Sequence, residues 1–288
     1  MDHVRHKPLH QNRYLRIGLV AGFLLAAFWA YTNYHPTENK CFYGNKVQNL
    51  EFCTKIIDSQ LYQGEPISRS DLARAYTKRG SAQRGPKDAL ADYNSAFAID
   101  PTSGWNLARR GRLQITLKNY KAAYADFNLA IDLDPEYFYA IALRGWASLE
   151  MGDHKKAIED FNVTIDNDPK YVWSLLKRAR AYRELGQLNR TLLDVNRALS
   201  LRPNPARSIL LRAEIYQEMG DVENSMTAYD QFVSRANARQ KRYRVQPMQK
   251  VLNERGFYNG PTDGQYTDVL RTKWKTCIAD KTCMIDFR

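Results

Sequence analysis

Residue types recur every 34 positions in the middle of this chain, and no other feature constrains its fold as tightly. Asp92, Asp126, Asp160 and Asp194 keep that step, with Ala228 in the fifth place. Pro101, Pro135, Pro169 and Pro203 keep it too, as do Arg110, Arg144, Arg178 and Arg212, and Gly152, Gly186 and Gly220. Several residue types sharing one period of this size mark a stack of supersecondary units. Within a period, two apolar helical stripes flank a turn. In the third unit, helix A is expected over residues 139–151, where Gly152-Asp153 stops it, because a glycine just past a helix takes the left-handed cap position. Helix B is expected over residues 155–167, and Pro169 bars its continuation. A helix pair of this kind cannot bury its apolar face alone, so neighbours stack and share a core.

The small and large positions of these units resemble the tetratricopeptide repeat family. Gly111, Gly145, Ala179 and Ala213 fill the small site on helix A. Ala89, Ala123 and Ala157 fill the one on helix B, with Thr191 and Ser225 as looser versions, and Tyr93, Phe127, Phe161, Val195 and Tyr229 fill the large site. The first unit departs: Arg79 and Asp92 are 13 apart where Arg110 and Asp126 are 16 apart, which reads as three residues missing from its A–B turn. The last unit has Asn237 in place of the closing proline. The resemblance implies an all-α fold, a right-handed superhelix (α-solenoid) of about five repeats over residues 69–237. It also implies a concave groove, lined by helix A, that takes a protein or peptide partner. Carrying the register along puts Trp105, Arg109, Arg112, Tyr139, Trp146, Trp173, Lys177, Arg180 and Arg207 on that groove, with Ala142, Leu176 and Leu210 among them. Trp, Tyr and Arg are the types enriched at binding hot spots. The pairs Arg110/Asp126, Arg144/Asp160 and Arg178/Asp194 read as interhelix ion pairs; partly exposed, each would contribute only ~0.2–1 kcal/mol.

The ends of the chain are unlike its middle. Of the net charge of +12, residues 1–16 carry +3 and residues 235–288 carry +7, leaving the middle nearly neutral. Basic ends suit anionic partners such as lipid headgroups or a carboxylate-rich polymer. Residues 17–34 hold no charge, close to the ~20 residues that span a bilayer as a helix. A transmembrane helix is expected there. Trp29, Tyr31 and Tyr34 sit at its far end, and Arg5, Lys7, Arg13 and Arg16 precede it. The positive-inside rule then leaves residues 1–16 as a cytoplasmic tail and the rest of the chain across the membrane. A cleaved signal is the rival, but cleavage after Ala30 would put Phe28 where a small residue is wanted.

Residues 35–68 read as a linker and capping helix. Residues 46–60 make an amphipathic helix with Val47, Leu50, Ile56 and Ile57 apolar, and Ser68 or Ser70 with Asp71 can cap the helix after it. The four cysteines fall into two local pairs, Cys41/Cys53 and Cys277/Cys283, which suggests disulfides in an oxidising compartment; four reduced thiols are the bland alternative. No histidine lies near either pair, and two thiols alone make a poor metal site. Residues 238–244 read as a basic linker. In residues 245–288, Gln249 (after Met248), Leu252, Gly256, Phe257, Tyr258, Gly260, Asp263, Gly264 and Tyr266 occur in the order of a peptidoglycan-binding domain of the three-helix type. That segment resembles this family, which implies a small helical C-terminal module able to touch cell-wall peptidoglycan. Thr267, where the family has glycine, departs from the pattern.

No catalytic constellation is legible. His154 is the only histidine in the repeats and beyond, and it falls on an A–B turn. The glycines at 256–264 do not have the spacing or strand–helix setting of a phosphate loop. The expectation is a non-enzyme without cofactor or metal: a scaffold or adaptor in a bacterial inner membrane, mostly periplasmic, with nucleic acid an improbable partner. A cytosol-facing receptor for client peptides and a non-catalytic accessory subunit of a cell-wall enzyme are the rival readings.

Overall fold

The computed structural model describes residues 36–202 and 206–280. The expected membrane span at residues 17–34 lies outside them. Among the described residues, no helix is long and apolar enough to cross a membrane. These residues form fourteen α-helices and one two-stranded hairpin. They divide into two compact units that meet in sequence after Leu133.

The first unit opens with α1 (Pro36–Tyr43) and α2 (Lys46–Ser59), joined by a disulfide between Cys41 and Cys53. Asn45 starts α2 with a reciprocal capping box to Gln48. The helix buries Cys53, Ile56 and Ile57, whereas Val47 is 71% exposed. The expected stripe is therefore shifted. The disulfide ties the Cys53 face to α1, and that turns Val47 and Leu50 outward. A hairpin of β1 (Leu61–Tyr62) and β2 (Glu65–Pro66) follows in the linker, a small departure from the expected all-α fold. Gln63 and Gly64 at its tip both have positive φ, as a two-residue turn matched to strand twist requires.

Two helix pairs complete this unit: α3 (Arg69–Ala82) with α4 (Pro86–Ile99), and α5 (Gly104–Thr116) with α6 (Tyr120–Leu133). The hydroxyl of Ser68 accepts the backbone N–H of Asp71 and starts α3. The shortening of the first repeat falls elsewhere than its turn. α3 ends at Ala82, three residues past Arg79, whereas α5 ends at Thr116, six past Arg110. One turn of helix A is lost, and Gly85-Pro86 restarts the chain as α4 with proline in its first turn.

The second unit holds three pairs: α7 (Phe138–Glu150) with α8 (His154–Asn167), α9 (Val172–Glu184) with α10 (Leu188–Leu201), and α11 (Ala206–Glu218) with α12 (Val222–Arg235). Gly152, Gly186 and Gly220 have positive φ at the ends of α7, α9 and α11, which is why only glycine recurs there. Inside each pair the small helix A residue receives the large one of helix B. A Cβ on Gly145 would lie 2.9 Å from the ring of Phe161.

Arginine locks each pair. Arg110, Arg144 and Arg178 each grip both oxygens of Asp126, Asp160 and Asp194, with Nη2–Oδ1 distances of 2.6, 2.6 and 2.7 Å. The Asp194 side chain is only 3% exposed. These pairs are more enclosed than the sequence reading assumed, so removing one partner would strand a buried charge. Burial even pushes the Asp160 carboxyl above its usual range against the pull of Arg144. Arginines of this series also reach back one repeat: Arg110 to the Asn94 side-chain carbonyl, Arg178 to that of Asn162 and, in the last repeat, Arg212 to that of Asn196. The residues Asn94, Asn128, Asn162 and Asn196 keep the 34-residue step, and sequence reading could have found them by it.

The chain ends with α13 (Ala238–Glu254) and α14 (Asp268–Ala279). Residues 238–244 are not a linker. Asn237 caps α13 with a second capping box, to Gln240, and the basic stretch forms its first turns. The asparagine that replaces the closing proline is thus a helix start. Val245, Met248, Leu252, Leu270 and Trp274 join one continuous core with Ile209, Met226 and Tyr229 of the last repeat. The tail is packed onto the repeats rather than set apart from them.

Candidate functional site

On the helix A face of the second unit, α7 and α9 bring four of the expected groove residues near one another. The Trp146 and Trp173 rings meet edge to face at 5.9 Å. Phe161 and Tyr171 each lie 6.1 Å from Trp173, so this indole also packs on helix B. The ammonium of Lys177 stands 4.4 Å from the Trp146 ring centre and 5.5 Å from that of Trp173. Burial, the largest cause, draws its pKa down to about 8, partly countered by Glu150. Glu150 accepts the indole N–H of Trp146 at 2.9 Å and a guanidinium N–H of Arg180 at 2.6 Å. Its carboxyl stays below its usual range because those hydrogen bonds outweigh burial. Glu150 was not foreseen, although it sits four residues after Trp146, on the same helical face.

Other expected residues divide. Tyr139 is half-buried beside Tyr137, with ring centres 6.1 Å apart. Arg207 is exposed and close enough to Lys177 to lower its proton affinity. Ala142 and Leu210 are buried and present nothing to a partner; they pack where helix A meets its neighbours. In the first unit, the Trp105 ring carries the Arg109 guanidinium at 5.2 Å and the Lys78 ammonium at 5.7 Å. Arg112 is exposed one turn further along α5.

The C-terminal motif residues build a loop. Gln249 is 1% exposed, donates to Asp263 Oδ1 at 2.8 Å and to the Gln265 carbonyl at 3.2 Å, and accepts the Gly264 N–H at 2.8 Å. Asp263 also accepts the Gln265 N–H, and Asn253 donates to the Gly260 carbonyl. Gly260 is needed because a Cβ there would run into the Tyr258 ring, and Gly256 and Gly264 both have positive φ. Leu252 is fully buried, and Phe257, Tyr258 and Tyr266 pack against the core. The Tyr266 hydroxyl donates to Asp230, which also receives both arms of Arg271. Of the second cysteine pair, Cys277 is buried and disulfide-bonded; Cys283 lies outside the described residues. Among the described residues no group of His, Cys, Asp and Glu could hold a metal ion.

The profile of the tetratricopeptide repeat family matches residues 106–137 and 206–239. Over those two stretches the chain is similar to tetratricopeptide repeats. The matched stretches cover most of the α5–α6 and α11–α12 pairs, and the solved structures of similar fold extend the likeness further. A tetratricopeptide repeat protein from Parabacteroides merdae superposes with a TM-score of 0.59 at 19% identity, covering 81% of this chain and 92% of that one. MamA from Desulfovibrio magneticus gives 0.55 at 17% identity, over 58% of this chain and 95% of that one. YrrB, described as a repeat protein with an unusual peptide-binding site, gives 0.50 at 16% identity, over 63% and 91%. At such identities the likeness is one of fold. No curated protein matches the chain.

Proposed function

We propose that the chain is a membrane-anchored periplasmic scaffold that holds a protein partner on the helix A face of its repeats and meets the cell wall with its C-terminal segment. The repeat fold is a protein-binding scaffold, and YrrB carries a peptide-binding site on it. The observation that carries the reading is the Trp146–Trp173–Lys177 cluster. Two half-exposed indoles flank an ammonium whose nearest carboxylate, Glu150, is already shared between Arg180 and Trp146. Burial of that ammonium is unfavourable, and a carboxylate from a partner would offset it. If Trp146 anchors a partner, Trp146→Ala should weaken binding of the purified partner about 30-fold, equal to ~2 kcal/mol, with the unfolding temperature nearly unchanged. A large fall in unfolding temperature with binding per folded molecule intact would make the indole a packing residue only.

The anchor and compartment rest on the uncharged stretch at residues 17–34 and on the basic residues before it. The Cys41–Cys53 disulfide and the bonded Cys277 favour an oxidising compartment. An alkaline phosphatase fused after Arg288 should therefore be active in cells. A silent phosphatase, together with a fluorescent cytosolic reporter at the same position, would favour the cytosol-facing receptor instead.

A further inference from the structure

The first two helices leave an apolar face turned outward. Tyr43 is 78% exposed, Val47 71% and Leu50 36%. Tyr43 and Val47 flank the Gly44-Asn45 turn between α1 and α2, and Val47 and Leu50 lie one helical turn apart on α2. A single exposed apolar residue is ordinary, but neighbours turned outward together mark an interaction surface. The repeats do not supply the cover. α2 gives its other face, with Cys53, Ile56 and Ile57, to a core shared with α3, and the bond to Cys41 holds that face inward. With that face fixed, α2 cannot roll to bury Val47.

Chain length decides what lies within reach of this face. The uncharged stretch at residues 17–34 is the anchor proposed above, and only His35 separates it from Pro36, where α1 begins. Two residues of chain reach at most about 7 Å. α1 has eight residues, so it is about 12 Å long. The turn between α1 and α2 is thus held within about 20 Å of the point where the stretch ends. We infer that the α1–α2 pair lies along the bilayer surface, with Tyr43, Val47 and Leu50 set among the lipid headgroups. This rests on the proposed anchor. Interfacial helices sink an apolar face about 5–10 Å into the boundary between headgroups and acyl chains. Tyrosine suits that layer, because its ring is apolar and its hydroxyl stays wet. Lys46, exposed beside Val47, supplies a charge for lipid phosphates. Arg74 stands 5.8 Å from the centre of the Tyr43 ring and adds a second cation. Glu51, on the same face of α2, has its charge met by Lys55 at 2.9 Å. A disulfide-tied helix pair held on the surface fixes the angle at which the first repeat leaves the membrane, whereas a plain linker would let it tumble.

The test uses the full chain reconstituted in vesicles of phosphatidylcholine and phosphatidylglycerol. A dansyl-bearing amino acid replaces Val47 or, as the control, Asp58, which is exposed near the other end of α2. Nitroxide-labelled lipid quenches a fluorophore that enters the bilayer. The expected result is quenching at position 47 about twofold or more above that at position 58. Leu50→Asp should bring position 47 down to the control, and Leu50→Ser should give part of that loss. Both changes fall on the outward face, and migration without reductant checks that the Cys41–Cys53 bond has formed. Flotation of the vesicles reads the anchor separately. A chain that does not float with them would refute the anchor, and this inference with it. A floating chain quenched equally at 47 and 58 would overturn the inference alone. So would quenching that Leu50→Asp leaves unchanged, which would mean nearness without insertion. Blue-shifted emission at 47 without lipid quenching would also overturn it, because a second copy or a partner protein would then cover the face.

Discussion

Trp274→Ala should lower the stability of the repeat array itself, by about 3–5 kcal/mol, the range for emptying a buried large aromatic site. Trp274 is fully buried, and its ring meets Tyr229 of α12 edge to face at 6.0 Å. Tyr229 is the large-site residue of the last repeat, so the indole fills the end of the repeat core. Chemical denaturation followed by far-ultraviolet circular dichroism tests this. A single transition at lower denaturant is expected. A new early transition confined to the tail, with the main one unmoved, would mean that α13 and α14 fold as a separate module.

Gly264→Val should break the loop that the C-terminal motif builds. Gly264 has φ +80°, and a Cβ there would stand 2.9 Å from the Arg242 backbone Cα. A β-branched residue is strained in that region, and the backbone neighbour cannot step aside, so the substitution should cost about 2–5 kcal/mol locally. Its N–H would also be drawn away from Gln249, stranding a buried amide. Net charge is unchanged, so the variant separates shape from attraction. If the loop meets peptidoglycan, the wild-type chain should sediment with purified sacculi at moderate salt and the variant should not. Equal sedimentation of both, abolished by salt, would reduce the tail to a basic patch.

The period made the helix pairs legible because stacking demands the same residue at each equivalent place. Gly111 and Gly145 are small because Phe127 and Phe161 press on them, and Gly152 and Gly186 recur because their φ is positive. What the sequence hid were features set by one contact rather than by repetition. The outward turn of Val47 follows from the Cys41–Cys53 bond. The hairpin over residues 61–66 is carried by two left-handed residues, one of them Gln63, which carries no glycine signal. The basic stretch at 238–244 looked like a linker by charge alone, yet Asn237 and Gln240 cap it as helix. At the aromatic cluster, Trp146, Trp173, Lys177 and Arg180 were legible from register. Glu150 carried a signal in its four-residue spacing from Trp146, but its second bond, to Arg180 of α9, became visible only when α7 and α9 were placed side by side.

The arginine that ties each helix pair also reads its predecessor, and this sets how the array can change over generations. Arg178 needs Asp194 from its own repeat and Asn162 from the one before. A repeat is therefore not a free cassette: duplicating or deleting one preserves the rung only in whole multiples of the period. Where one member is lost the rung degrades. With Ala228 in the acidic place, Arg212 turns to Gln231, and its Nε is left buried without a partner. The places free to vary are those the arginine does not read. The first repeat shows one, having shed a helical turn after Arg79 while Arg79 still holds Asp92. New surface is thus written at the ends of helices, and the rungs keep the reading frame.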